Sequence, residues 1–299
     1  MRKFRHTPIK SKKIPIGIPY IISNEAAERF SFYGMKGILV IYMTQYLSLT
    51  TGETNLSEAS AKGYFHLFTS AVYFFPILGA IISDFFFGKY KTIIFLSLVY
   101  CLGHFVLAID PSKIGLSIGL SLIAIGSGGI KPCVSAHLGD QFNKKNVSLI
   151  SKAYSWFYLA INLGAFTSTL LIPYILEKYS AELAFGIPGI FMFLATLFFW
   201  MGRYKFIHIK PMKKKSFLEL FNKKNIKILI KLLIIFIYVS FFWCLFDQTG
   251  SSWILQAEKM DRNILGVELL SSQILSANPI MILIFTPLFF KFLYPKINN

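Results

Sequence analysis

Eight stretches of roughly twenty mostly apolar residues leave this chain one kind of fold. They lie at about 20–48, 63–88, 91–109, 114–137, 150–175, 183–202, 228–250 and 268–294. Roughly 20 helical residues cross the ~30 Å hydrocarbon layer of a bilayer. Only 15% of the residues are charged, against about 25% in ordinary soluble chains, which excludes a soluble globular enzyme. The predicted fold class is all-α, a polytopic transmembrane helix bundle of about eight spans. The first run does not read as a removable signal peptide, being too long and too polar at its start and lacking a small-residue cleavage site.

A net charge of +17 on so apolar a chain points either to nucleic acid or to membrane topology, and the positions of the charges decide between them. With the N-terminus placed inside, the inner segments carry +20, the outer loops −3 and the spans zero. This is the positive-inside pattern, and an even number of spans puts both basic termini on the cytoplasmic side. The Lys-rich stretch 203–231 is the remaining candidate for an anionic partner, but a solvated cytoplasmic loop obeying the topology rule is the better reading. No nucleic-acid partner is expected; the lipid bilayer is.

Six ionisable residues remain inside the spans: Glu25, Glu28, Arg29, Lys36, Lys131 and Asp247. Each costs roughly 2.5–3.5 kcal/mol at a helix centre. At 100° per residue the first four fall within about 100° of arc, and a face carrying four charges cannot look at lipid. It must line a polar cavity or meet a partner helix. The alternatives are buried ion pairs that only hold the bundle together and a solute or proton pathway. Buried pairs stabilise weakly compared with packed apolar residues, which favours the pathway.

Other features are less decisive. Gly126-Ser127-Gly128-Gly129-Ile130-Lys131-Pro132 fails the phosphate-loop pattern and reads as small residues that let helices approach closely. Asp84, before a tight Gly88 turn, is expected to cap or latch the cytoplasmic end of span two. His66, His104 and His137 read as hydrogen-bonded packing residues, and Cys101, Cys133 and Cys244 as free thiols. Neither HExxH, a Cys/His cluster nor GxSxG occurs, so hydrolytic and metal chemistry have no foothold.

Five ordered motifs carry a resemblance. Glu25-Ala-Ala-Glu28-Arg29-Phe30-Ser-Phe32-Tyr33-Gly34 resembles the ExxERFxYYG signature of the proton-dependent oligopeptide transporters, a branch of the major facilitator superfamily. Tyr73-Phe-Phe-Pro76-Ile-Leu-Gly79 through Asp84 resembles that family's second-helix motif, and Gly126 through Phe142 its fourth. Phe157 through Gly164 resembles the fifth, and Phe242-Trp243-Cys-Leu-Phe-Asp247-Gln248-Thr-Gly250-Ser251 the seventh.

The resemblance implies proton-coupled symport of di- and tripeptides, with no cofactor, the proton as coupling ion and no enzymatic activity. It implies proton coupling at Glu25, Glu28, Asp247 and His66, with the glutamates pairing with Arg29 and Lys131. It implies peptide binding by Arg29, Tyr33, Lys36, Lys131, Asn162 and Trp243, and structural or gating roles for Asp84, Gly79, Pro76, Gln248 and Ser251. Three positions depart from the family pattern: Phe32 replaces the first tyrosine of the signature, Lys36 stands where an arginine is common, and His137 replaces an aromatic or small residue.

The resemblance further implies twelve core helices in two halves. Residues 1–202 are expected to form a complete six-helix N-terminal bundle with a basic tail, 203–227 a basic cytoplasmic linker, and 228–299 the first two helices of the second half. Helices nine to twelve are expected to be missing, and the linker is too short for two extra helices. The expected location is the cell membrane, multi-pass. The alternative functions are a truncated, non-transporting remnant and a half-transporter or peptide-binding membrane protein, with a second chain supplying the missing helices.

Overall fold

Helices start where the sequence supplies caps. Ser57, Ser112, Ser180 and Asn222 are each extended, and each side chain accepts a hydrogen bond from the backbone N–H three residues on. That satisfies one of the orphan donors of a helix start. In the computed structural model, which describes residues 4–8, 11–212, 222–264 and 266–289, these caps open four of the principal helices.

The order is α1 (Ile18–Ile41), α2 (Glu58–Ile82), α3 (Lys89–Ile109), α4 (Lys113–Asp140), α5 (Ile150–Lys178), α6 (Ala181–Met201) and α7 (Lys223–Phe246). A 3₁₀ turn, Asp247–Gly250, leads from α7 into the short α8 (Ser252–Ala257), and a further 3₁₀ segment, Ser271–Ser276, precedes α9 (Ala277–Leu288). Among the described residues, seven helical segments are long and apolar enough to cross a membrane. The 24-residue α1 matches them in length and carries four charges.

Three boundaries differ from the sequence reading. Span seven starts at Lys223 rather than 228, because the Asn222 cap fixes the first turn there. The last residues of the expected 203–227 linker are therefore helical, and 213–221 lie outside the described residues. Span eight, read from 268, becomes helical at Ser271, and just before it lies a small antiparallel hairpin, β1 (Asn263–Ile264) with β2 (Val267–Glu268), turned at Gly266 with φ +85°. The glycine permits this turn because it has no Cβ to strain a positive φ. The end of span eight lies beyond the described residues.

The first six helices interlock. α1 packs on α5 and α6, α4 on α2 and α3, and α3 on α6. Small residues set the closest approaches: a Cβ on Gly79 of α2 would run into the Gly129 carbonyl of α4. The glycine-rich run on α4 is thus a helix-packing face, as its composition implied. The least apolar helix, α1, is buried along most of its length, since its charges demand protein partners. α7 is the opposite case: every residue from 226 to 246 is exposed.

Candidate functional site

Arg29 gathers the first-helix acids. Its Nε lies 2.7 Å from Glu25 Oε1 and 2.9 Å from Glu28 Oε2, and all three side chains are buried. A close crossing puts Arg29 there: a Cβ on Gly164 of α5 would strike the Ala26 carbonyl and the Arg29 Cβ. Two carboxylates around one guanidinium leave one formal negative charge. A proton or a second cation must offset it in a medium this poor in water.

Lys131 on α4 is the nearby cation, within electrostatic reach of Glu28. Among the described residues no carboxylate lies within ion-pair distance of it, so the expected Glu–Lys pair is not formed here. Its ammonium sits 4.4 Å from the centre of the Phe32 ring and 5.2 Å from that of Tyr73. An aromatic face attracts a desolvated cation, so Phe32 holds Lys131 beside the cluster without neutralising it. Tyr33 packs edge-on against Phe32, 5.5 Å between ring centres.

One helical turn outward, α1 and α2 meet the end of α7. Lys36 Nζ lies 3.2 Å from Asp247 Oδ1 and over the Phe65 ring. His66 Nε2 and Ser251 Oγ are 3.0 Å apart, and Ser251 and Ser252 both donate to Gln248 Oε1. Gly250 abuts the Phe65 ring. The structure therefore brings Asp247, Gln248 and Ser251, expected to gate, together with His66, expected to bind a proton, in one polar cluster beside Lys36.

The other expected residues sit around this centre. Trp243 faces Tyr73 with ring centres 6.3 Å apart, both exposed. Asn162 is buried, and its amide donates to the Tyr158 carbonyl. Pro76 lies within α2 one turn before Gly79. Asp84 latches through its backbone: its carbonyl accepts from Met212 N at 2.6 Å, while its carboxylate takes the Ser83 hydroxyl. The three cysteines are free.

Three relationships escaped the sequence reading. Lys89 pairs with Asp140 at 2.8 Å, tying the start of α3 to the end of α4; the expectation that both positions lie on one side of the membrane could have suggested it. Ser31 on α1 and His104 on α3 are 2.8 Å apart in full burial. Just after α8 Glu258 accepts from Gln45 Nε2 at 3.1 Å and pairs with Arg262 at 2.8 Å. Partial burial pushes the Glu258 carboxyl up, but hydrogen bonds from Ser271 and Gln45 and the Arg262 charge outweigh this and hold it below the usual carboxylate range.

Comparison with known proteins places this arrangement. The family model described as POT family matches residues 90–224 and 220–299. The chain is 38% identical over 333 residues to "Peptide transporter family 1" of Drosophila melanogaster, covering 95% of this chain and 44% of that protein. It is 37% identical over 336 residues to "Solute carrier family 15 member 2" of Homo sapiens, covering 95% and 45%. The chain thus spans about 45% of the length of these curated relatives. Among solved structures it resembles the POT family transporter PepTSo with a TM-score of 0.85 at 37% identity, over 95% of this chain and 70% of that one. An auto-inhibited POT family peptide transporter gives 0.80 at 32% identity, over 95% and 70%.

Proposed function

The chain belongs to the POT family, and on that premise we propose that it carries the binding and coupling centre of a proton-driven symporter of di- and tripeptides. It is a multi-pass membrane protein by its spans and relatives, and we place it in the cell membrane with both termini cytoplasmic. The observation that carries the reading is the division of charge at the site. Arg29 is shared by Glu25 and Glu28, while Lys131 is left on aromatic rings.

The physics runs in both directions. A proton on Glu28 removes the surplus negative charge and loosens its hold on Arg29. Arg29 and Lys131 are then free to clamp the carboxylate of a peptide. Loss of that proton restores the carboxylate–guanidinium pair, which competes with the substrate and releases it. A substrate that binds one protonation state better shifts the equilibrium toward that state. Tyr33, Asn162 and Trp243 line the approach, and Lys36–Asp247 with His66–Ser251 closes the outer end. Neutralising Asp247 would release Lys36 and unlatch it.

The test is uptake of a labelled dipeptide into vesicles holding the purified chain, with and without an inward proton gradient. Gradient-dependent accumulation that Glu28→Gln or Lys131→Ala abolishes supports the reading; gradient-independent uptake defeats it. The exposed α7 favours a second reading, a peptide-binding membrane protein that works only when a second chain or further helices cover this flank. Crosslinking in membranes from cysteines placed on α7 separates the two: a captured helix supports assembly, and a strict monomer with full uptake contradicts it.

A further inference from the structure

Behind Arg29 lies a second polar region. Asn24, Glu28 and Ser31 fall within about 60° of arc on α1, and Ser97, Tyr100 and His104 within about 60° on α3. All six are at most 1% exposed. The two stripes meet where Ser31 Oγ and His104 Nε2 lie 2.8 Å apart, and the Tyr100 hydroxyl faces Ser31 and lies within electrostatic reach of Glu28. Yet several of their polar atoms make no well-directed hydrogen bond to protein: both oxygens of Glu28, both side-chain polar atoms of Asn24, and the Ser97 and Tyr100 hydroxyls. Glu28 touches Arg29 as a charge, without a well-directed hydrogen bond.

Unpartnered polar groups cost roughly 1–3 kcal/mol each when buried, and native interiors satisfy them with protein or with ordered water. Gathered between two helices, so many point to water. We propose that this seam binds a short file of ordered waters which, with Tyr100, Ser31 and His104 as positioning residues, hydrogen-bonds Glu28 in both of its protonation states.

The chemistry of the groups fits the task. Hydroxyls, water and neutral imidazole each donate and accept. His104 faces the Phe185 backbone carbonyl with Nδ1–H and accepts from Ser31 at Nε2, while with Glu28 ionised the waters donate to the carboxylate. With Glu28 protonated the carboxylic acid donates to the nearest water instead, and the waters and the Tyr100 hydroxyl turn by rotation alone. No net charge moves in the reversal. The other charged groups facing Glu28 are Arg29 and Glu25 on its own helix and Lys131 on α4. All three lie toward the peptide site, so the seam is the face that stays hydrated whatever the substrate does. The inference deepens the proposed function and rests on Glu28 being the coupling acid.

Two measurements test it. Hydroxyl-radical footprinting of the unaltered chain in bilayers compares Tyr100 with Tyr42, which is equally buried but whose hydroxyl donates to the Pro111 carbonyl at 2.8 Å. Water beside Tyr100 predicts labelling several-fold faster than at Tyr42; equal rates overturn the hydrated seam. In uptake assays, Ser31→Ala and Tyr100→Phe should each move the pH of half-maximal proton-driven uptake by about half a unit or more. Peptide affinity in proton-independent counterflow should stay within about two-fold. Superimposable pH profiles overturn the positioning role. Absence of transport in the unaltered chain is a failure of the proposed function alone, and the labelling ratio still decides for or against the water.

Discussion

Lys36 of α1 and Asp247 after α7 form the ion pair that joins the first six helices to the seventh, Nζ to Oδ1 3.2 Å, with both side chains largely buried. Truncating one partner of a buried pair leaves an uncompensated charge and costs about 3 kcal/mol or more. Asp247→Asn is therefore expected to lower thermal stability in detergent, and Lys36→Met with Asp247→Leu to recover most of the loss. A double-mutant cycle with no coupling between these positions would contradict the pairing.

Close approach of α2 and α4 depends on two glycines meeting face to face. Gly79→Val would push a branched side chain into the Gly129 backbone, and overpacking of this kind costs about 1–3 kcal/mol. Gly63→Ala on the same helix meets nothing within 4 Å and serves as the control. Thermal unfolding should separate the two clearly.

Phe32 sets where Lys131 rests. A desolvated cation–π contact is worth about 1–2 kcal/mol, so Phe32→Leu should let the ammonium fall toward Glu28 and weaken dipeptide binding about five-fold or more. Phe32→Tyr keeps the aromatic face and should bind within about two-fold of the parent. Equilibrium binding of labelled dipeptide to the purified variants reads both.

Glu258 makes the outer connection acid-sensitive. Its carboxyl is held below the ordinary range by Ser271, Gln45 and Arg262 against the opposing effect of burial. A depressed folded value contributes stability above the unfolded value of about 4.3, and that contribution is lost as pH falls through the folded value. Below about pH 4 the parent should lose stability more steeply than Glu258→Gln. Parallel pH–stability curves would show that the carboxylate does not contribute.

The helices and the site charges were legible because each rests on a local pattern. Runs of apolar length marked the spans, and the face shared by Glu25, Glu28 and Arg29 followed from helical period alone. The hairpin at Asn263–Glu268 was missed because two residues per strand leave no alternation to read. The start of α7 was missed because apolarity begins at 228 while the Asn222 cap acts six residues earlier. The resting place of Lys131 was not legible at all. The family resemblance pairs it with the first-helix glutamates, whereas the structure sets it on the rings of Phe32 and Tyr73. Ser31 and His104 meet across 73 residues of sequence, and neither motif nor period connects them.

The central claim is that Glu28 and Lys131 couple a proton to a peptide. Dipeptide uptake into vesicles holding the purified chain, followed with and without an inward proton gradient, tests it most directly. The account predicts accumulation only with the gradient, lost in Glu28→Gln and Lys131→Ala alike. Accumulation that ignores the gradient, or that survives both substitutions, would contradict it.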